Sequence, residues 1–305
     1  MWPAPCGKLS KCATMGLAGA PYPQQPSKED IMLHRNSIDD VVLALASAPI
    51  DDRTGNRVLY SVDWVADQDS MIGNVNPDWV RRELDWFFSG SDELDNMEPP
   101  VPALFKACAG TDGKVNSAYG YILFGEGDRL PKPPSLFHRV VDTFQREGLG
   151  TRHAVAIISD RDIHNLAHYN GRNDFICTNA LNFMVDAENR LHIIAQMRSM
   201  DAVFGYRADY SMWDALMEFL LGNLEHTYPE LKRGTITFQV ANLHVYPRHF
   251  QLLEDTAADI EQRIERRIWG PPASPSFAER EGYRDAGGNL TDKGQQASWN
   301  GEQER

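Results

Sequence analysis

Residues 174–246 constrain the fold of this chain more than any other stretch. Two apolar runs, 175–185 and 191–197, flank Asp186-Ala187-Glu188-Asn189. So short a connection favours antiparallel neighbours, and the pair predicts a long hairpin. Residues 235–246 read as a further strand, 57–66 as another behind the turn Arg53-Thr54-Gly55, and 154–158 as a short buried one. Helical signals lie between them. Ser37, three residues before Asp40, opens the apolar run of Val41, Val42 and Leu45. Asn76-Pro77 pairs a capping side chain with a first-turn proline, ahead of Val80, Leu84, Phe87 and Phe88 on one side. Residues 136–147, 210–221 and 248–269 carry helical patterns. Strand hairpins interspersed with helices imply an α+β domain, a twisted mixed β-sheet flanked by helices.

The composition supports a folded core and narrows the partners. Of 305 residues 42% are hydrophobic, enough to exclude wholesale disorder. The formal charge of −13 disfavours a nucleic-acid polymer, while leaving room for a small anion held by a few arginines. The longest apolar run, about 41–50, is far short of the ~18–20 residues of a membrane span. Residues 1–28 read as a flexible leader without the apolar centre of a signal peptide, and 270–305 as a disordered tail. One domain, 29–269, remains. Cys6, Cys12, Cys108 and Cys177 fit neither a disulfide framework nor a zinc site, so no metal is expected and a reducing, cytoplasmic setting is.

Four segments carry candidate chemistry. Cys177, in Asp174-Phe175-Ile176-Cys177-Thr178-Asn179, stands in polar company for a core cysteine. A buried structural thiol is the ordinary reading; a nucleophile needs nearby cations or hydrogen-bond donors. Such groups occur in 197–210, where Arg198-Ser199 at a strand end suits a phosphate. A solvated strand-end loop is the plainer alternative there. Alternation in 242–246 puts His244 and Tyr246 on one face, placed to grip a sugar hydroxyl or simply to line a sheet rim. Glu83, on the apolar helix after Asn76-Pro77, reads on its own as a surface carboxylate.

Taken in order, these segments, together with Arg53-Thr54-Gly55, Asn116-Ser117-Ala118-Tyr119-Gly120 and Thr151-Arg152, resemble the thymidylate synthase superfamily. Within it the bacteriophage deoxycytidylate (dCMP) hydroxymethylases are most similar, over about residues 53–250. The resemblance implies a single thymidylate synthase-like domain that forms a covalent adduct with a pyrimidine nucleotide. Cys177 matches the nucleophile for C6 of the ring, whose attack makes C5 reactive. Glu83 matches the carboxylate that organises water and proton transfers, and Tyr119 the tyrosine assisting proton removal at C5. Arg53, Arg198 and Ser199 match phosphate ligands. Arg152 matches a phosphate arginine that crosses from a partner subunit, which implies a homodimer. His244 and Tyr246 match the sugar contacts, and Asp201 a contact to the co-substrate 5,10-methylenetetrahydrofolate.

Asp209 stands where uracil-specific members carry Asn. A carboxyl sharing a proton with N3 and accepting from the 4-amino group fits cytosine, so a cytidine-type monophosphate, dCMP first, is expected. Hydroxymethylation is favoured over methylation because 103–108 has a Phe but no Trp to exclude water, and 300–305 is polar. The alternatives are a CMP hydroxymethylase, a thymidylate-type methylase and a non-catalytic homologue. His153 after Arg152 departs from the usual basic or polar residue and would weaken or pH-tune phosphate binding.

Overall fold

A computed structural model describes residues 33–34, 37–66, 72, 76–125, 134–159 and 169–269, all within the unit Met32–Arg305. The expected leader 1–28 and tail 270–305 lie outside the described residues. The strands are β1 (Leu33–His34), β2 (Arg57–Val65), β3 (Val155–Ile157), β4 (Thr178–Val185), β5 (Arg190–Met197), β6 (Met200–Asp201) and β7 (Lys232–Val245). They form a mixed sheet in the order β1-β2-β7-β5-β4-β3, with β6 also paired to β7. The expected hairpin is β4–β5, antiparallel from Val185↔Leu191 to Thr178↔Met197. β7 runs parallel to β5 and antiparallel to β2, and becomes the central strand.

The helices are α1 (Ile38–Ser47), α2 (Pro77–Ser89), α3 (Ala103–Cys108), α4 (Tyr119–Phe124), α5 (Leu136–Glu147), α6 (Phe204–Leu224) and α7 (Phe250–Trp269). Ser37 caps α1 by accepting from the Asp40 amide at 3.3 Å. Asn76 Oδ1 accepts from the amides of Asp78 and Trp79 at 3.0 and 3.3 Å, opening α2 as its sequence implied. Gly90 closes α2 at φ 67°, where a side chain would be strained.

The main core lies between one sheet face and the helices. Trp64, Phe183, Ile193 and Phe238 from the sheet meet Tyr206, Trp213, Leu216 and Leu220 of α6. α2 and α4 pack so closely that a Cβ on Gly120 would run into the Phe87 carbonyl. The other sheet face is open: Asn179, Gln196, Gln239 and Ala241 are exposed there. With Ser61 and Asp63 they line a groove of about 600 Å³. Among the described residues no helix is long and apolar enough to cross a membrane.

Two boundaries differ from expectation. β4 starts at Thr178, because the Phe175 and Ile176 carbonyls accept from the Arg198 guanidinium instead of a ladder partner. α6 starts at Phe204, so Arg207 and Asp209 are buried helix residues, where a strand-end loop or a helix from 210 was expected. Asp201 helps start it by accepting from the amides of Val203 and Phe204 at 3.0 and 3.4 Å.

Candidate active site

Cys177 sits at the mouth of the β4–β5 pair, half-buried, opposite the residue after β5. The Arg198 amide donates to the Cys177 carbonyl at 2.9 Å, continuing the ladder by one step. The Arg198 guanidinium then folds over the same loop. Its Nε donates to the Ile176 carbonyl at 2.8 Å and Nη2 to that of Phe175 at 2.7 Å. Nη2 also lies 3.6 Å from Cys177 Sγ, and the guanidinium stacks over the Phe175 ring. The cysteine is thus held next to a fixed cation. The pairing of β4 with β5 skips a residue between Thr178 and Ala180, a bulge adjoining the thiol that re-aims the strand end.

Burial pushes the Cys177 thiol pKa up, the Arg198 charge draws it down, and Asp209, Asp174 and Cys108 raise it further. An uncharged thiol in the resting site follows, with Arg198 as the group that favours thiolate when Sγ reacts.

Tyr119 is the first residue of α4, and its hydroxyl accepts from the Thr178 amide at 3.3 Å. The phenol therefore stands beside the residue that follows the cysteine. Burial raises its pKa well above the ordinary value, helped by the charges of Asp209 and Cys177. Glu83 is buried on α2, not at the surface as its local sequence suggests. Burial lifts its pKa to about 7, the range in which a carboxyl both gives and takes a proton near neutrality. Asp209 is 7% exposed on α6, and burial followed by the Glu83 charge holds its carboxyl well above the usual range. Burial thus favours the protonated acid at both carboxyls, and Asp209, Glu83, Tyr119 and Cys177 share one electrostatic neighbourhood.

The far side of the site is built by β6 and the end of β7. Leu243 and Val245 are buried while His244 and Tyr246 flank the opposite side, their rings 5.0 Å apart, as the alternation implied. His244 Nδ1 lies 3.5 Å from Ser199 Oγ and 3.1 Å from Asn242 Oδ1. Burial lowers the His244 pKa, so the ring is neutral near pH 7. Asp201 faces His244 in the β6–β7 register. Beyond it Phe204, 42% exposed, packs against His249 and Trp79.

Arg53 and Arg152 are not gathered into this cluster. Arg53 is on the exposed turn before β2, its guanidinium paired with Asp51 at 3.1 Å. Arg152 is exposed and has no hydrogen bond or ion pair among the described residues. His153 next to it is held by Glu147 at 2.8 Å. Local sequence also missed the bonding of Asp174, which accepts from Asn116 and Ser117; the only signal was the placement of a carboxylate three residues before the cysteine.

The thymidylate synthase family profile matches residues 72–267. The chain is 28% identical over 209 residues to the deoxycytidylate 5-hydroxymethyltransferases of Enterobacteria phage T6 and Enterobacteria phage T4, covering 67% of this chain and 81% of each relative. Among solved structures, the thermostable thymidylate synthase A from Bacillus subtilis aligns with a TM-score of 0.56 at 15% identity, over 72% of this chain and 82% of that one. At that identity the likeness is one of fold.

Proposed function

This chain belongs to the thymidylate synthase family and is a folate-dependent one-carbon transferase of the hydroxymethylase or methyltransferase type; we propose that it is a cytidine-monophosphate 5-hydroxymethylase, acting first on dCMP. The balanced reaction is dCMP plus 5,10-methylenetetrahydrofolate plus water, giving 5-hydroxymethyl-dCMP and tetrahydrofolate. The observation that carries the cytosine assignment is the burial of the Asp209 carboxyl, which raises its pKa and favours the protonated acid. A neutral carboxyl has one donor and one acceptor. Its O–H donates to cytosine N3 and its C=O accepts a hydrogen bond from the 4-amino group. Proton donation to N3 withdraws electrons from C6 and invites sulfur attack there.

In this reading the Cys177 thiol gives its proton to water, Sγ bonds to C6 as the C5=C6 electron pair moves toward C5, and Asp209 supplies the proton at N3; the C6–Sγ bond breaks and N3 returns its proton when the 5-substituted product leaves. Arg198 stabilises the thiolate before attack and, with Ser199, holds the phosphate. His244 and Tyr246 hold the sugar, and Tyr119 assists removal of the C5 proton. Glu83 handles protons and orders the water that makes the hydroxymethyl group. The co-substrate supplies the one-carbon unit. Asp201 and the exposed Phe204 ring with Trp79 and His249 offer an acceptor and an aromatic platform suited to a flat heteroaromatic carrier.

Arg53 and Arg152 reach the phosphate in a homodimer, with Arg152 crossing to the partner's site. Two features support this: Arg152 is exposed without a partner among the described residues, and the sheet face opposite the helices is open. The test is incubation with dCMP, CMP or dUMP and the folate co-substrate, with product mass and C5 tritium release as readouts. A hydroxymethyl product from dCMP above CMP supports the reading. Turnover of dUMP without dCMP overturns it. Sedimentation at working concentration tests the dimer.

A further inference from the structure

Resting on the reading of Cys177 as nucleophile, we propose that Asp174 is a positioning residue: its carboxylate clamps the segment before α4 to the segment before β4 and so sets Tyr119 against Cys177. Oδ1 accepts from the Asn116 amide at 2.9 Å. Oδ2 accepts from both the amide and the hydroxyl of Ser117, each at 2.6 Å. Asn116 Nδ2 returns a bond to the Asp174 carbonyl at 2.9 Å, and Asn170 Nδ2 holds Asn116 Oδ1 at 2.6 Å. The neighbouring residue continues the seam, the Asn173 amide donating to the Cys108 carbonyl at 2.8 Å.

Neither clamped segment belongs to a helix or strand. Arg198 braces residues 175–177 against the end of β5, and the Asp174 carboxylate ties that braced segment to residues 116–117. Tyr119 begins two residues after Ser117, and Cys177 stands three after Asp174. The clamp therefore acts on both partners over a few bonds, and its product is the 3.3 Å contact of the tyrosine hydroxyl with the Thr178 amide. Three donors converge on two oxygens, an arrangement that suits a carboxylate. An amide would turn an N–H toward at least one of those donors. The clamp also explains an otherwise adverse charge, since Asp174 opposes thiolate formation at Cys177. A site serving only to ionise the thiol would gain by losing it.

The test uses the full chain with Asp174→Asn and Ser117→Ala. Two quantities are read in folded protein: steady-state C5 tritium release from dCMP, and the pH dependence of Cys177 alkylation by iodoacetamide, followed on the Cys177 peptide by mass. The groups facing the thiol are Arg198, Asp209, Cys108, Tyr119 and Tyr246. Asp174→Asn should lower kcat about 100-fold, the effect of misplacing a catalytic group by roughly 1 Å. Its nucleotide KM should stay within about 3-fold. Its alkylation midpoint should move down, because a negative charge near sulfur is gone; the thiol becomes more reactive while catalysis falls. Ser117→Ala removes one bond and no charge, so kcat should fall roughly 10-fold with the midpoint unmoved. The proposal is overturned by kcat within about 3-fold of wild type in both variants, by KM rising in step with kcat loss, or by an unshifted midpoint in Asp174→Asn. Alkylation needs no nucleotide. A wild type inactive on every nucleotide therefore refutes the functional reading, while the midpoint in Asp174→Asn still tests the effect of the Asp174 charge on Cys177.

Discussion

Replacing Asp209 by Asn tests the chemistry of the site most directly. The side chain is 7% exposed on α6, between Arg207 and Tyr210, both also buried. An amide fills nearly the same volume and keeps an acceptor and a donor in place while adding one N–H, so packing hardly changes. What is lost is an acidic proton. Burial, and after it the Glu83 charge, raise the Asp209 pKa and favour the protonated carboxyl. In the proposed reaction the carboxyl meets cytosine N3 as an acid and protonates it as sulfur attacks C6. An amide donates a hydrogen bond to N3 but never the proton. General acid assistance contributes about 10²–10⁴ in rate, so Asp209→Asn should slow dCMP turnover at least ~100-fold, about 2.7 kcal/mol in the barrier.

Uracil responds in the other direction. Its N3 carries a proton and needs no acid, and an amide accepts from N3–H while donating to O4. The dUMP rate should hold or rise, and the preference should invert. The assay is tritium release from C5-labelled dCMP and dUMP across pH, with product masses. In wild type the dCMP rate should fall as pH climbs through the raised Asp209 pKa, and in Asp209→Asn that alkaline limb should vanish. A variant retaining dCMP turnover within about 3-fold refutes the proton-donor reasoning. So does an unchanged dCMP:dUMP preference.

Other substitutions probe the remaining parts. Cys177→Ala should abolish tritium release from every nucleotide, while equilibrium dialysis still detects dCMP binding. Arg198→Ala removes the cation at 3.6 Å from sulfur and the brace on residues 175–176, so the Cys177 thiol pKa should rise and alkylation at pH 7 should slow. Gly120→Ala drives a methyl into the Phe87 carbonyl, and overpacking of that kind costs about 1–3 kcal/mol, visible as a lower Tm. Glu83→Gln should lose activity yet gain stability at pH 8. The folded carboxyl ionises near pH 7 and the unfolded one near 4.5, so native stability declines as pH rises between those values. The variant's advantage should approach about 3 kcal/mol at pH 8 and close below about pH 4.5, measured by urea melts.

Local pattern revealed what local physics decides. Ser37 and Asn76-Pro77 mark real helix starts, and the turn 186–189 joins β4 to β5. Leu243 and Val245 turn inward as their alternation requires. Other features depend on partners far along the chain. Glu83 looks like a surface carboxylate on an amphipathic helix; it is buried because α6 packs against α2 and brings Asp209 near it. Residues 204–209 look like a loop because Arg207 and Asp209 carry charge, but the helix starts on the Asp201 carboxylate and the Arg207 guanidinium lies near the Phe204 ring. The Asp174 bonds join residues 57 and 58 positions apart, beyond any local pattern. Arg53 and Arg152 were identifiable only through the family resemblance, and the chain by itself gives neither a place at the thiol.

The site and the fold pull in opposite directions at the same residues. Two carboxyls, Glu83 and Asp209, occupy space that apolar side chains would fill at a gain in stability, and each is held as an acid by its burial. In water neither would keep its proton at neutral pH. Because Asp209 is raised by the charge of Glu83, the two do not act independently: ionising Glu83 strengthens the hold of Asp209 on its proton. Near pH 7 this pairs a carboxyl able to accept a proton with one still able to donate. The double variant Glu83→Gln, Asp209→Asn separates this coupling from simple addition. If each group worked alone, the losses in C5 tritium release would multiply. If the pair acts as one proton-handling unit, the double variant should be little slower than the worse single one, as expected for groups serving one step. Multiplicative losses would reject the shared unit and leave two separate acids.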